Sequence, residues 1–111
     1  MSDITGLHLL STLAPDGRLT VSLAEQTLLA PTGSQIVLRV EAAPINPSDL
    51  GLLLGSADVD HAEYGDGYLV AQMPEAAMRA MTSRLGEAMP VGNEGAGTVI
   101  AAGEAPEAQA L

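Results

Sequence analysis

Three polar residues stand close together where a strand-like stretch of the sequence gives way to a helix-like one. They are Asn46, Ser48 and Asp49, which carry an amide, a hydroxyl and a carboxylate. Before them, the side chains of residues 36–42 alternate with the period of two that a half-buried strand needs. Pro47 cannot continue a ladder of hydrogen bonds, and it suits the first turn of a helix. Polar side chains at such a junction are well placed to face a cleft, so these three are candidate site residues.

A second group of candidates lies in the glycine-rich stretch 92–97, GNEGAG, which contains Asn93 and Glu94. Glycine-rich turns bind dinucleotides when their spacing is G-x-G-x-x-G between a strand and a helix. Here the spacing is different, and the residues that follow have the pattern of a strand. The stretch therefore favours glycines that let two backbones approach closely at a bend in a sheet. That interpretation is compatible with a functional Glu94 beside them.

The acidic stretch 56–68, SADVDHAEYGDGY, contains several potential metal ligands. Its spacing does not fit a calcium loop, because the glycine comes late and Leu69 occupies the twelfth position, where a bidentate glutamate is required. A solvated acidic loop is the favoured interpretation. The chain has no cysteine, which excludes disulfides and thiolate chemistry. Neither His8 nor His61 has a sequence context that nominates it as the base of a catalytic triad. In the acidic stretch 56–68, the potential metal ligands are Asp58, Asp60, His61, Glu63 and Asp66.

The composition narrows the classes of protein and partner. A chain of 111 residues is long enough for one domain with a core but not for two, and 47 % hydrophobic residues exclude a disordered chain. The core must be aliphatic, because the sequence has no Phe or Trp and only two Tyr. A net charge of −10 would repel nucleic acid and anionic membrane surfaces. No apolar run is long enough to span a bilayer and no secretory signal is visible, so a cytoplasmic protein is expected.

The remaining patterns predict a mainly β (α+β) fold. Apolar content predicts a strand at 7–13 and alternation predicts one at 19–24, and the turn residues at 14–18 join them in a hairpin. An apolar stripe and a proline at its start predict a longer helix over 74–88. The other expected elements are a strand at 36–42, a helix from Pro47 to near Gly55, strands at 69–73 and 98–102, loops at 28–34 and 56–68, and a polar, alanine-rich tail at 104–111.

Two stretches together resemble the N-terminal, co-chaperonin-like (GroES-like) domain of the medium-chain dehydrogenase/reductases. They are residues 36–50, IVLRVEAAPINPSDL, and residues 92–103, GNEGAGTVIAAG, and they occur in the order typical of the family. The resemblance implies a partly open β-barrel with one or two short helices. The Asn-Pro-Ser-Asp version of the first stretch is similar to the zinc-free branch, which contains quinone oxidoreductases and 2-enoyl thioester reductases.

The resemblance also implies roles for the polar residues. Zinc-binding members have a cysteine at the position of Asn46 and a histidine at that of Asn93, and amides are poor zinc ligands, so no metal is expected. Ser48 matches a hydroxyl that relays a proton in alcohol dehydrogenases, while Asp49 and Glu94 match retained acidic positions. Asn46, Ser48 and Asp49 would be the catalytic residues beside the nicotinamide of NADPH. The residues implied to contact the cofactor are Asn46, Asp49, Asn93 and Glu94.

The activity implied for the parent protein is hydride transfer from NADPH to a quinone, enone or enoyl thioester. Because no G-x-G-x-x-G is present, residues 1–111 are expected to be a fragment that lacks the Rossmann nucleotide-binding domain. Such a fragment is expected to bind no cofactor and to be inactive alone. It is also expected to form a homo-oligomer, because a missing partner domain leaves apolar surface exposed.

Other interpretations stay open at this level. The enoyl reductases have a catalytic tyrosine shortly after the helix, where this chain has Ser56 and Ala57. Tyr64 or Tyr68 could reach the site from the loop, or both could simply pack against that loop. Two other classes of function are a stand-alone co-chaperonin-like ring subunit and a non-catalytic interaction protein derived from a reductase.

Overall fold

The computed structural model describes residues 3–111, and within them the chain is mainly β, with seven strands and a few short helices. The predicted fold class is therefore confirmed. The helices are α1 (Pro47–Leu53), α2 (Glu75–Met78) and α3 (Pro106–Gln109), and a 3₁₀ segment covers Arg79–Arg84. The strands are β1 (Ile4–Leu13), β2 (Arg18–Leu28), β3 (Ile36–Ala42), β4 (Asp58–Gly65), β5 (Tyr68–Gln72), β6 (Ala88–Pro90) and β7 (Ala96–Ala102).

The strands form two antiparallel sheets, one with the order β4-β5-β2-β1-β6 and the other made of β3 and β7. In the described part of the chain they form no closed barrel. The described residues divide into two compact units. The β3–β7 unit contains residues 3–6, Glu25–Pro44 and Asn93–Leu111, and the core unit contains Leu7–Ala24 and Ile45–Gly92. None of the described helices has the length and apolar character needed to cross a membrane.

In the β3–β7 unit, the two strands approach each other closely at Gly97, which pairs with Val40. A Cβ atom at Gly97 would overlap the carbonyl oxygen of Arg39 and would lie 2.8 Å from the carbonyl carbon of that residue. The ladder is irregular beside this point, because its register shifts between Val40 and Ala42. The predicted close approach of backbones is confirmed at Gly97, and a phosphate loop is excluded there because the glycines lead into strand β7.

The polar, alanine-rich tail at 104–111 contains the short helix α3 and is anchored to the β3–β7 unit at a few points. The N–H of Gly103 donates to the carbonyl of Gln35 over 2.8 Å, and Ala108 in α3 is 1 % exposed. The N–H groups of Glu104 itself and of Gly33 lower the pKa of the Glu104 carboxyl below its usual value. The ionised carboxylate therefore helps hold this segment at neutral pH, and that contribution is lost as the pH falls through the lowered pKa.

The core unit is built on the predicted hairpin of β1 and β2. The N–H of Ala14 donates to the carbonyl of Arg18 over 2.9 Å, and Gly17 adopts a φ of 88°, which glycine accepts without strain. The hairpin carries Leu13 and Leu19, both fully buried, and Met73 completes the centre of the core. The core is aliphatic, as the composition requires. The half-buried side chains around it belong to Leu54, Ala57, Ala77, Met78, Met81 and Leu85.

Two predictions about the core unit are wrong. The stretch 56–68 is not a loop, because β4 pairs with β5 and the two strands form a hairpin. The stretch 74–88 is not one helix, because α2 lasts a single turn, the 3₁₀ segment replaces it, and β6 follows. The stretch ends at Gly86, whose φ of 78° does not fit a helix and whose N–H donates to the carbonyl of Leu13 over 2.8 Å.

Candidate functional site

The first polar motif begins helix α1 in the core unit. Asn46 is the N-cap residue, with φ −99° and ψ 157°, and Asp49 is the third helical residue. The two form a capping box, in which the backbone N–H of Asn46 donates to the Asp49 carboxylate over 2.8 Å. Asn46 and Asp49 are half-buried, while Ser48 between them is exposed. The structure therefore brings the three predicted catalytic residues together in the first turn of one helix.

The capping box gives Asp49 a structural role that was missed in the sequence. Its carboxylate accepts a hydrogen bond at a helix N-terminus, where N–H groups lack partners and the helix dipole favours a negative charge. The signal was present, because a short polar residue followed three positions later by an acidic one is the pattern of a capping box. The observed role of Asp49 is therefore structural: as the third helical residue of the capping box, it fixes the backbone at Asn46.

Replacing Asp49 with alanine is expected to lower the free energy of unfolding by about 1 kcal/mol, because one hydrogen bond and a favourable negative charge at the helix N-terminus are lost. Urea unfolding followed by circular dichroism measures the change. Ser48→Ala is the matched control, because its side chain lies in the same turn and is exposed, and it is expected to stay within about 0.5 kcal/mol of the unmodified chain. Equal stability of the two variants would contradict the cap.

The second motif lies at one end of the β3–β7 ladder. Pairing of Ala42 with Ala96 holds the segment after β3 against the segment before β7. Between these segments is an open pocket of about 620 Å³. Asn93 and Glu94 line it, and both are exposed. The remaining lining residues are Ala42, Ala43, Pro44, Gly95 and Ala96. The pocket is open, and its chemical groups are few, because only Asn93 and Glu94 contribute polar side chains to its lining.

The predicted site residues therefore belong to two units, which are described separately. Asn46, Ser48 and Asp49 belong to the core unit, while Asn93 and Glu94 belong to the β3–β7 unit. Each group is local and well defined: one is the first turn of a helix and the other is the rim of a pocket. Neither contains the cysteine or histidine that a tightly held zinc ion needs.

The acidic stretch that could have held a metal lies mostly in strand β4. Its clearest interaction is a hydrogen bond of 2.8 Å between Nδ1 of His61 and the Asp58 carboxylate, and both side chains are at least half exposed. Within residues 3–111, no group of three or more histidine or acidic side chains is placed to hold a metal ion.

The two tyrosines of the core unit differ in their surroundings. The ring of Tyr68 lies over Gly65, its partner across the β4–β5 hairpin, and a Cβ at that glycine would be 2.6 Å from the ring. Packing is therefore the observed role of Tyr68. Tyr64 is 77 % exposed. A catalytic role for either tyrosine stays a prediction.

One residue of the core unit was missed entirely by the sequence analysis. The Arg84 guanidinium donates to the carbonyl of Leu52 and to both the carbonyl and the hydroxyl of Ser11, each over 3.1 Å. The Ser11 hydroxyl, which is fully buried, donates in turn to the carbonyl of Leu53 over 3.0 Å. Among the described residues, only Nε of this guanidinium is buried without a hydrogen-bond partner. No local pattern signals this network, because its members are far apart in sequence.

No protein-family model matches the chain, and no curated protein is significantly similar to it. The resemblance to the medium-chain dehydrogenase/reductases therefore rests on the two motifs themselves. To these the structure adds their local settings, which are the start of a helix that follows a strand and the rim of a pocket at the end of a strand pair.

Proposed function

We propose that the chain is the substrate-side domain of a zinc-independent, NADPH-dependent oxidoreductase that reduces a quinone, an enone or a similar activated alkene. The observation that supports this most is the setting of the second motif in the β3–β7 unit. Its Asn93 and Glu94 line an open pocket beside the paired residues Ala42 and Ala96. In the core unit, the first motif forms the first turn of α1, where the capping box holds it.

The described residues fit only the nicotinamide end of the cofactor. The amide of Asn93, at the rim of the pocket, can both donate and accept, which suits a neutral carboxamide. A phosphate cradle is not formed by the glycine-rich stretch, because it leads into strand β7 and not into a helix. The cofactor would bring the hydride, and its phosphates would have to be bound by a further domain.

Within this proposal the residues of the chain have separate tasks. Ser48 offers an exposed hydroxyl at the surface of α1, from which a proton can pass to a reduced substrate. Asp49 holds the backbone of Asn46 through the capping box and so orients the first turn. In the β3–β7 unit, Asn93 and Glu94 present polar groups at the rim of an otherwise aliphatic pocket, which suits a flat, mostly apolar substrate such as a quinone.

The test is NADPH oxidation with an ortho-quinone and with a cyclic enone as acceptors. It compares residues 1–111 with a chain that continues past Leu111 into a nucleotide-binding domain. Activity is expected only in the longer chain. There, Ser48→Ala is expected to reduce kcat by about 10²-fold or more, the range for loss of a proton-transfer group. Ser83→Ala is the matched control, because Ser83 is also exposed in the core unit.

Three results would contradict the proposal. The first is a longer chain that oxidises no NADPH with either acceptor. The second is stoichiometric zinc in protein purified without added metal, combined with loss of activity when the zinc is removed. The third is a stable seven-fold ring formed by residues 1–111, which would favour the co-chaperonin-like alternative.

A further inference from the structure

Helix α1 is too short to be stable by itself. It has seven residues, about two turns, and none of its side chains is fully buried. Isolated helices of fewer than about 12–15 residues are marginal in water, because few hydrogen bonds repay the ordering of the first turn. Its persistence therefore depends on tertiary contacts, which are the packing of the half-buried Leu52 and Leu53 and the groups that hold its two ends. The N-terminal end is held by the capping box of Asn46 and Asp49.

The C-terminal end of α1 is held by side chains from outside the helix. The last carbonyls of a helix have no partner within it. Here Arg84 donates to the carbonyl of Leu52, and Ser11 donates to that of Leu53. Arg84 also binds the backbone and hydroxyl of Ser11, so the helix end is fixed to strand β1. A forked guanidinium suits this task, because it presents several donors in one plane.

We propose that Arg84, acting with Ser11, is a positioning residue for the polar motif at the start of α1. Hydrogen bonds connect the two ends, since the N–H of Leu54 bonds to Leu50 and the N–H of Leu50 bonds to Asn46. In a helix of two turns, fraying from the C-terminal end reaches the first turn directly. Loss of these hydrogen bonds from Arg84 and Ser11, which form a clamp on the C-terminal end of α1, therefore loosens the first turn, although they are made to Leu52, Leu53 and Ser11 and not to the motif. The consequence for catalysis rests on the proposed function, but the coupling itself does not.

The experiment is amide hydrogen exchange, followed by NMR on residues 1–111, which requires no cofactor. Arg84→Met keeps a long side chain and removes every donor. It is expected to accelerate exchange of the Leu50 and Leu54 amides at least tenfold. The Met73 amide, which bonds to Gly17 elsewhere in the core unit, is expected to change much less. Arg79→Met is the matched control, since it removes the same charge from an exposed position in the same 3₁₀ segment.

Two further variants separate positioning from general destabilisation. Arg84→Lys keeps the charge but lacks the fork, and it is expected to restore only part of the protection. In Arg84→Ala, added methylguanidinium is expected to slow exchange at Leu54 again, whereas it should not do so in Arg79→Ala. Unchanged exchange at Leu50 and Leu54 in Arg84→Met would overturn the proposal. So would an equal acceleration at Met73, which would show global unfolding. Neither result would contradict the oxidoreductase proposal, which is tested separately by NADPH oxidation.

Discussion

Replacing Gly97 with alanine is expected to destabilise the β3–β7 unit by about 3 kcal/mol, at the upper end of the usual cost of overpacking. The added Cβ would overlap the carbonyl oxygen of Arg39 and would lie 3.0 Å from the Cα of Val40. These are backbone atoms, which cannot rotate away as a side chain does, so the strands must separate. Urea unfolding measures the loss, and NMR locates it in β3 and β7.

The same motif offers a matched control for that substitution. A Cβ at Gly95 would meet the Cγ1 of Val40 at 3.4 Å, which is an ordinary contact with a side chain. Gly95→Ala is therefore expected to stay within about 0.5 kcal/mol of the unmodified chain. Because Gly95 also lines the pocket, this variant separates a change in the pocket wall from a break in the ladder. Similar stability of the two alanine variants would show that the backbones are not in tight contact at Gly97.

The parts of the fold that could be predicted are those with local causes. The β1–β2 hairpin follows from its turn, where Gly17 takes a positive φ that few other residues accept. The junction of β3 and α1 follows from period-two alternation and from Pro47, which ends one pattern and begins another. In each case proline or glycine provides a signal within a few residues of sequence, although the partner of β3 is the distant strand β7.

Strand β4 was missed because its stability comes from pairing and not from a buried face. Of its residues only Ala62 is half-buried, so the sequence shows no apolar alternation. It forms because β5 supplies partners, from Glu63 opposite Val70 to Gly65 opposite Tyr68. One local signal was available. Asp66 and Gly67 form a two-residue turn between the strands, and Asp-Gly is among the strongest hairpin signals.

The stretch 74–88 shows how a pattern can predict burial correctly and local structure wrongly. Ala77, Met81, Leu85 and Ala88 are predicted on one apolar stripe. The first three pack against the core, whereas Ala88 is exposed in strand β6. The backbone is nevertheless a short α-helix followed by a 3₁₀ segment, because Arg84 and Gly86 bond to strand β1. Tertiary contacts overrode helix propensity here, and a single sequence does not contain those contacts.

The candidate site also combines features with local causes and features that depend on contacts distant in sequence. The position of Asn46, Ser48 and Asp49 at the start of a helix could be predicted, because proline and polar residues mark helix starts locally. The clamp on the other end of that helix could not, since Ser11 and Arg84 lie 73 positions apart. The helix start that carries the candidate residues was thus visible in the sequence, while the hydrogen bonds at the other end of the helix were visible only in the structure.

Replacing Leu19 with alanine is expected to lower the free energy of unfolding by about 2–5 kcal/mol. Leu19 is fully buried between Leu13 and Met73, and no aromatic side chain is present in this small core to fill the space left behind. The loss combines two free energies: the hydrophobic burial that the removed atoms no longer contribute, and the cost of the cavity that they leave. It is a large share of the total stability of a small domain, about 5–15 kcal/mol. Urea unfolding with an unchanged m-value measures it.

Leu23→Ala is the matched control, because Leu23 lies on the same strand and is 52 % exposed. Leu19→Met, which nearly conserves volume, is expected to cost less than about 1.5 kcal/mol. If Leu19→Ala and Leu23→Ala destabilise the chain equally, Leu19 is not at the centre of the core.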